Sequence, residues 1–339
     1  MAKVFVTGGT GFIGYHLIKA LSEQGHEILC LARKTSRIEP LRQFPVKFIH
    51  GDIQDADSIA GTLSNVQVVF HLAGTTKALR REDFFRVNEL GIENLLKACR
   101  QSKATPVVVF VSSLAAAGPV IGRNPTPKQE GAPSNPVSLY GISKRAGELV
   151  AERYARDLPI TIVRPGIVFG EWDKDCLEMF RPIEKTGVHL VPGYRQKRYS
   201  LIYAGDLVNL LVSAATKGER LPPNSDGAPP GQGYYFAACD ETPSYAQLGR
   251  LIGQALGRRT LVIPVASPVV WTVAFFGEIV GQIRRRPVVF HWDKAREALA
   301  GSWICSASKA RDQLGFQTPL PLAERLRQTA AWYREAKWL

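Results

Sequence analysis

The chain has 339 residues, of which 45% are hydrophobic and 22% charged, enough to build a large core in one or two structural units. That composition excludes collagen-like, largely disordered and disulfide-scaffold proteins. The formal net charge is +13, an excess that suits phosphate-bearing ligands, acidic membrane surfaces or nucleic acid without choosing among them.

Short apolar runs at 3–7, 27–32, 46–50, 66–72, 107–112 and 160–164 alternate with helical patterns. This alternation predicts an α/β fold, a doubly wound parallel sheet with helices on both faces. The first helix is expected from about Gly11 to Gln24, with Ile13, Leu17 and Leu21 forming one apolar stripe. Others are expected near 82–102 and 138–156. Beyond residue 170 the pattern loosens. Residues 222–233 read as a surface loop, and helices are expected at 205–217, 244–256, 291–299, 306–314 and 320–335.

Five cysteines, at 30, 99, 176, 239 and 305, are odd in number and far apart. No disulfide framework or Cys-x-x-Cys site is expected, and a cytoplasmic location fits. Six scattered histidines show no zinc spacing, so no metal is expected. The chain opens directly into Lys3-Val4-Phe5-Val6 without the pattern of a secretory leader.

Thr7-Gly8-Gly9-Thr10-Gly11-Phe12-Ile13-Gly14 follows a strand and opens a helix, the context in which glycines cradle a dinucleotide. Gly8 makes the tight turn, Gly11 lets the backbone approach a pyrophosphate, and Gly14 allows close helix packing. Thr10, Phe12 and Ile13 then frame the helix N-terminus, whose free N–H groups favour an anion. Residues 1–170, with 201–218 returning, are read as a Rossmann domain; 171–339 are read as a smaller, mostly helical substrate lobe.

With His71-Leu72-Ala73-Gly74, Tyr140-Gly141-Ile142-Ser143-Lys144 and Arg164-Pro165-Gly166, this turn resembles the extended short-chain dehydrogenase/reductase superfamily, of epimerase/dehydratase type. The resemblance covers residues 1–215 closely. It implies that Asp52 and Ile53 lie beside the adenine, that Leu72, Ala73 and Gly74 run under the cofactor with Pro165 bordering it, and that Asn88 braces the site. It also implies a homodimer. NAD-preferring relatives place an acid after the second strand, where this chain has Leu31-Ala32-Arg33-Lys34. Arg33 suits a 2′-phosphate, so NADP(H) is favoured over NAD(H).

Tyr140 and Lys144 are four apart on a predicted helix and rise from one face. An adjacent ammonium and an oxidised nicotinamide both favour the phenolate, which makes Tyr140 the candidate acid/base; Lys144 would lower its pKa and hold the ribose. The resemblance places the third catalytic group at Ser113, at the end of a strand, with Ser112 the fallback. The implied chemistry is hydride transfer at a carbon bearing a hydroxyl or carbonyl.

Leu261 to Gly277 carries no charge but contains Pro264, Pro268, Val269, Val270, Trp271, Val273, Phe275 and Phe276, and Arg284-Arg285-Arg286 follow. Two prolines argue against a membrane-spanning helix. A surface helix in contact with lipid stays open beside the preferred reading, a buried helix closing the cleft. Both give apolar walls and an apolar secondary alcohol or ketone as substrate. The segment Trp292-Asp293-Lys294-Ala295-Arg296-Glu297 resembles bacterial relatives of 3β-hydroxysteroid dehydrogenases and dihydroflavonol reductases, and reads as folding information more than chemistry. The rivals are a nucleotide-sugar epimerase/dehydratase, with Arg195, Lys197 and Arg198 on a diphosphate, and a non-catalytic cofactor-binding scaffold. Nucleic acid is not an expected partner, since no reading motif accompanies the charge.

Overall fold

The computed structural model describes residues 1–224, 226–286, 288 and 290–339. In chain order it forms β1 (Lys3–Thr7), α1 (Phe12–Glu23), β2 (Glu27–Ala32), β3 (Val46–His50), β4 (Val68–His71), α2 (Arg81–Phe85), α3 (Gly91–Gln101), β5 (Val107–Val111), α4 (Leu114–Ala117), α5 (Leu139–Tyr154) and β6 (Ile160–Pro165). The second half adds β7 (Ile167–Phe169), α6 (Lys174–Thr186), β8 (Val188–Pro192), β9 (Leu201–Tyr203), α7 (Ala204–Lys217), β10 (Tyr234–Ala237), α8 (Tyr245–Ala255), β11 (Leu261–Val265), α9 (Ser267–Arg284), α10 (Trp292–Ala300), α11 (Ser308–Leu314) and α12 (Leu322–Glu335).

Seven strands form one parallel sheet in the order β10-β6-β5-β4-β1-β2-β3. The chain winds outward from β1 in one direction and from β4 in the other, so their carboxyl ends mark the switch point where doubly wound sheets take ligands. Alternation within each strand feeds two cores. Val4 and Val6 pack with Leu17 and Ile18 of α1 and Leu207 and Leu211 of α7, whereas Phe5 faces Leu95 and Leu96 of α3 and Val150 of α5. In α1 the buried stripe is Leu17, Ile18 and Leu21, with Ile13 only partly covered. The predicted elements recur with shifts of one or two residues. The exceptions are β7, β8, β9, β10, β11, α4 and α6, for which the sequence offered no strand or helix.

Residues 261–284 divide into a strand and a helix. β11 pairs with β8 outside the main sheet, and α9 packs on α10, with Trp271 and Trp292 rings 4.8 Å apart. All five cysteines are free thiols. Among the described residues, no helix is long and apolar enough to cross a membrane, and no three His, Cys, Asp or Glu side chains are grouped to hold a metal.

Candidate active site

The first loop is shaped by close approach of backbones. Gly8 has a φ of +73°, and a Cβ there would lie 2.5 Å from the Ala73 nitrogen. A Cβ at Gly14 would come within 2.3 Å of the Gly8 carbonyl oxygen, so neither position accepts a side chain. Gly11 caps α1 with extended backbone and no side-chain partner for the helix N–H groups. This leaves the donors and partial positive charge of the helix end open to an anion.

Two cavities flank the turn. One, of about 330 Å³, is lined by Gly8, Gly11, Leu31, Arg33, Ser36, Asp52, Ile53, Leu72, Ala73 and Gly74. The other, of about 540 Å³, is lined by Thr10, Phe12, Ile13 and Gly14 on one side and by Trp172, Asp173 and Trp338 on the other. A cradle that side chains would fill, an uncapped helix end and a cavity on either side fit an extended dinucleotide. At the end of β2, beside the smaller cavity, Ala32 is buried and Arg33 is exposed, with its backbone N–H donating to Ser36 Oγ at 3.1 Å. Asp52 Oδ1 accepts from the Gln54 backbone N–H at 3.0 Å, and Ile53 is buried against Gly91.

Asn88 sits in a π-helical turn, Arg86–Leu90, a distortion often found at functional sites. Its Oδ1 accepts from the Thr75 N–H at 2.9 Å, while Nδ2 donates to the Thr75 carbonyl at 3.0 Å and to Ser143 Oγ at 2.9 Å. It thereby ties the loop after β4 to α5. Pro165 is buried at the end of β6 and lines neither cavity.

Lys144 is buried, and its ammonium donates to the Val111 carbonyl at 2.9 Å. It lies 3.7 Å from where a Gly74 Cβ would stand, which brings α5 to the floor of the cofactor cradle. Burial lowers its pKa to about 8 against the opposing pull of Glu148. Beneath it His71 is fully buried, with Nδ1 hydrogen-bonded to Thr7 Oγ1 at 2.7 Å and Nε2 without a partner among the described residues. Burial, then Lys144, pushes the His71 pKa down to about 3, so the ring is neutral at ordinary pH.

One turn before Lys144, Tyr140 meets Ser113. Burial raises the phenol pKa; the nearby Ser113 hydroxyl and the Lys294 charge pull it back, and Glu297 pushes it up. Ser113 Oγ also accepts the Ala115 N–H at 3.1 Å as the cap of α4. Ser112 is committed elsewhere, donating to Glu148 Oε1 at 2.5 Å, where Arg164 binds the same carboxylate through two nitrogens at 2.6 and 2.8 Å. The two serines therefore have different work.

Besides Lys144, a second cation faces the phenol: the Lys294 ammonium lies 5.8 Å from the centre of the Tyr140 ring. The sequence reading considered only Lys144 for that pull. Helix α10 reaches this point through three carboxylate contacts on the start of α5. Asp293 accepts the Leu139 and Tyr140 N–H groups at 2.8 and 3.3 Å, and Glu297 accepts from Ser138 Oγ at 2.6 Å while pairing with Lys294 at 2.7 Å. Burial disfavours the Lys294 charge, but Glu297 outweighs it and raises the pKa. The spacing of Asp293, Lys294 and Glu297 puts all three near one helix face, a signal overlooked because their partners lie some 150 residues earlier. Asp173, at the rim of the larger cavity, is pushed by burial to about 7 while capping α6 through the Asp175 and Cys176 N–H groups.

A model of the NAD dependent epimerase/dehydratase family matches residues 4–226. Among curated proteins, the chain is 28% identical over 338 residues to a ceramide reductase of Caulobacter vibrioides, covering 99% of this chain and 96% of that one. It is 25% identical over 347 residues to a 3 beta-hydroxysteroid dehydrogenase/Delta 5→4-isomerase of Mycobacterium tuberculosis, covering 98% and 90%. Among solved structures, UDP-glucose 4-epimerase of Thermotoga maritima superposes with a TM-score of 0.76 over 99% of both chains at 21% identity, a likeness of fold alone. With the glycine cradle, the parallel sheet and a match over most of its length, the chain belongs to the NAD dependent epimerase/dehydratase family of extended short-chain dehydrogenases/reductases.

Proposed function

We propose that the protein is an NADP(H)-preferring oxidoreductase that exchanges hydride with an apolar secondary alcohol or its ketone. The observation carrying this reading is that the Ser113 hydroxyl, at the cap of α4, comes close enough to the Tyr140 phenol of α5 to lower its pKa, one turn from a Lys144 that reaches the cradle floor at Gly74. A bound nicotinamide dinucleotide supplies the hydride donor or acceptor. Gly8, Gly11 and the α1 N-terminus would hold its pyrophosphate, and Lys144 would hold the nicotinamide ribose.

In reduction, the ketone oxygen accepts a hydrogen bond from Ser113 and the proton from Tyr140 as the carbonyl carbon gains hydride. Burial keeps the phenol protonated beforehand; the phenolate left behind is stabilised by the Ser113 hydroxyl and the Lys294 charge. Oxidation runs the same steps in reverse.

Preference for NADP(H) is supported by Arg33, which borders the adenine-side cavity with no carboxylate partner among the described residues. An apolar substrate is supported by likeness to a ceramide reductase and a hydroxysteroid dehydrogenase along nearly the whole chain. Two of the three residues expected to bind a sugar diphosphate have other duties: Lys197 donates to the Ala298 carbonyl at 2.6 Å, and Arg198 Nε to the Thr242 carbonyl at 3.0 Å, while Arg195 is exposed at the edge of a separate cavity. On this reading, residues 171–339, apart from 201–218 and β10, form the substrate lobe.

The test incubates purified protein with NADPH or NADH and with long-chain or steroid-like ketones, following cofactor absorbance. Net oxidation of NADPH supports the proposal. Interconversion of UDP-glucose and UDP-galactose without net cofactor change would replace it with an epimerase.

A further inference from the structure

Helix α9 turns the usual pattern of a water-exposed helix inside out. Its fully buried positions are only Val270, Ala274 and Gly281; Val270 and Ala274 cluster with Ala295, Leu299 and Phe290 of the α10 region, and the half-buried Trp271 leans on Trp292. Its large apolar side chains face outward. Phe275 and Phe276 are 51% and 59% exposed and Ile283 is 76% exposed, joined by Val269, Val273, Ile279 and Val280.

At about 100° per residue these positions occupy one continuous arc of about 160° along some 22 Å of helix. The arc contains no charge. Its one hydroxyl, Thr272 Oγ1, turns back to donate to the Pro268 carbonyl at 3.0 Å. Amphipathic helices of water-soluble proteins bury such a stripe, and an uncovered apolar patch of this continuity marks a contact surface.

The end of the helix indicates what covers it. Arg284, Arg285 and Arg286 follow the arc directly, all exposed and paired with no carboxylate among the described residues, on a chain of net charge +13. Anionic phosphate headgroups neutralise such a row while the acyl boundary accepts the arc. A second copy would bring another cationic row, and an apolar protein groove would leave the arginines uncompensated.

We propose that α9 lies in the surface of an anionic lipid bilayer, with the Val269–Ile283 arc in the acyl boundary and Arg284–Arg286 among the headgroups. The attachment is peripheral, since among the described residues no helix is long and apolar enough to cross a membrane. The inner face of α9 connects this surface to the chemistry. Trp271 packs on Trp292, next to Asp293 and Lys294 at Tyr140, and a side chain at Gly281 would touch Leu79, in the segment after β4, at 3.7 Å. Docking would present the cleft to membrane-dissolved molecules, a step that rests on the apolar-substrate reading; vesicle binding itself is measured without turnover, so either can fail alone.

The experiment is flotation of the full chain with vesicles of phosphatidylcholine alone and of phosphatidylcholine mixed with phosphatidylglycerol. Binding to the mixed vesicles and much weaker binding to the neutral ones are expected. At about 1 kcal/mol per basic residue near the surface, replacing all three arginines by alanine weakens partition about a hundredfold. Phe275→Ser with Phe276→Ser abolishes flotation at any lipid composition, while an unchanged melting temperature shows that the fold persists. The proposal is overturned if wild-type protein stays with the unbound fraction on the mixed vesicles, if binding ignores the phenylalanine pair, or if that pair instead dissolves a dimer seen in sedimentation without lipid.

Discussion

Lys294 lies with its ammonium 5.8 Å from the centre of the Tyr140 ring, although the two are 154 positions apart and belong to opposite ends of the chain. The cation lowers the phenol pKa against the effect of burial. Removing it in Lys294→Met should raise that pKa further. In the oxidation direction, which requires phenolate, the rising limb of kcat against pH should move to higher pH, with NADP affinity unchanged and most of the profile restored by Lys294→Arg. A profile that ignores the methionine would detach Lys294 from the proton transfer.

The neighbouring serines should separate cleanly. Ser113→Ala removes a donor to the reacting oxygen and is expected to cost about a hundredfold or more in kcat with little change in melting temperature. Ser112→Ala leaves Glu148 and Arg164 to each other in a buried setting and should cost about 1–3 kcal/mol of stability, with turnover kept by the folded enzyme. Tyr140→Phe should lose about two to four orders of magnitude in turnover while holding the dinucleotide. The reverse pattern for the serines would move the catalytic hydroxyl to Ser112.

Arg33→Ala should weaken NADP binding by roughly tenfold or more, the worth of charge-assisted hydrogen bonds to a phosphate, and leave NAD binding nearly as it was. Calorimetric titration with both nucleotides measures the ratio. If both affinities fall equally, Arg33 does not read the 2′-phosphate.

His71 predicts an acid-sensitive fold. Its folded pKa is about 3 because burial and then Lys144 resist its charge, while the unfolded value is about 6.5. The stabilisation is therefore complete above about pH 6.5. It is lost as pH falls through the window down to about 3, where the unfolded chain takes up a proton that the folded site refuses, by up to about 1.4 kcal/mol per pH unit. Denaturant titrations between about pH 7 and 5 should show a shallower pH slope in His71→Gln than in the wild type; equal slopes would place the acid sensitivity elsewhere.

Six of the seven strands of the sheet were legible because each is a short apolar run between helices with their own stripes, whereas the four-residue β10 was not; the cradle was legible because Gly8 and Gly14 leave a local signature. The Tyr140–Lys144 pair was legible as a four-residue spacing. Long-range features were hidden. That Ser112 belongs to Glu148 depends on packing between β5 and α5. The π-helical turn that aims Asn88 leaves no mark in periodicity. Asp293, Lys294 and Glu297 looked like an ordinary charged helix, since nothing local indicates that they meet residues 138–140. For the 267–284 segment the preferred reading, a buried helix, is overturned: Phe275, Phe276 and Ile283 are exposed, and nothing in the local pattern told which apolar side chains would turn inward.

Asp293 caps the N–H groups of Leu139 and Tyr140, and Lys294 and Glu297 of the same helix act on the Tyr140 phenol, so on the proposed mechanism the acid strength of Tyr140 is not a private property of the nucleotide half. Exchanging the C-terminal portion to alter substrate choice would also replace the carboxylate and the ammonium that tune proton transfer. If the proposed function holds, selectivity and intrinsic rate are inherited together, and a chimera that keeps residues 1–170 intact would still need α10, or an equivalent, to recover the parent's pH optimum.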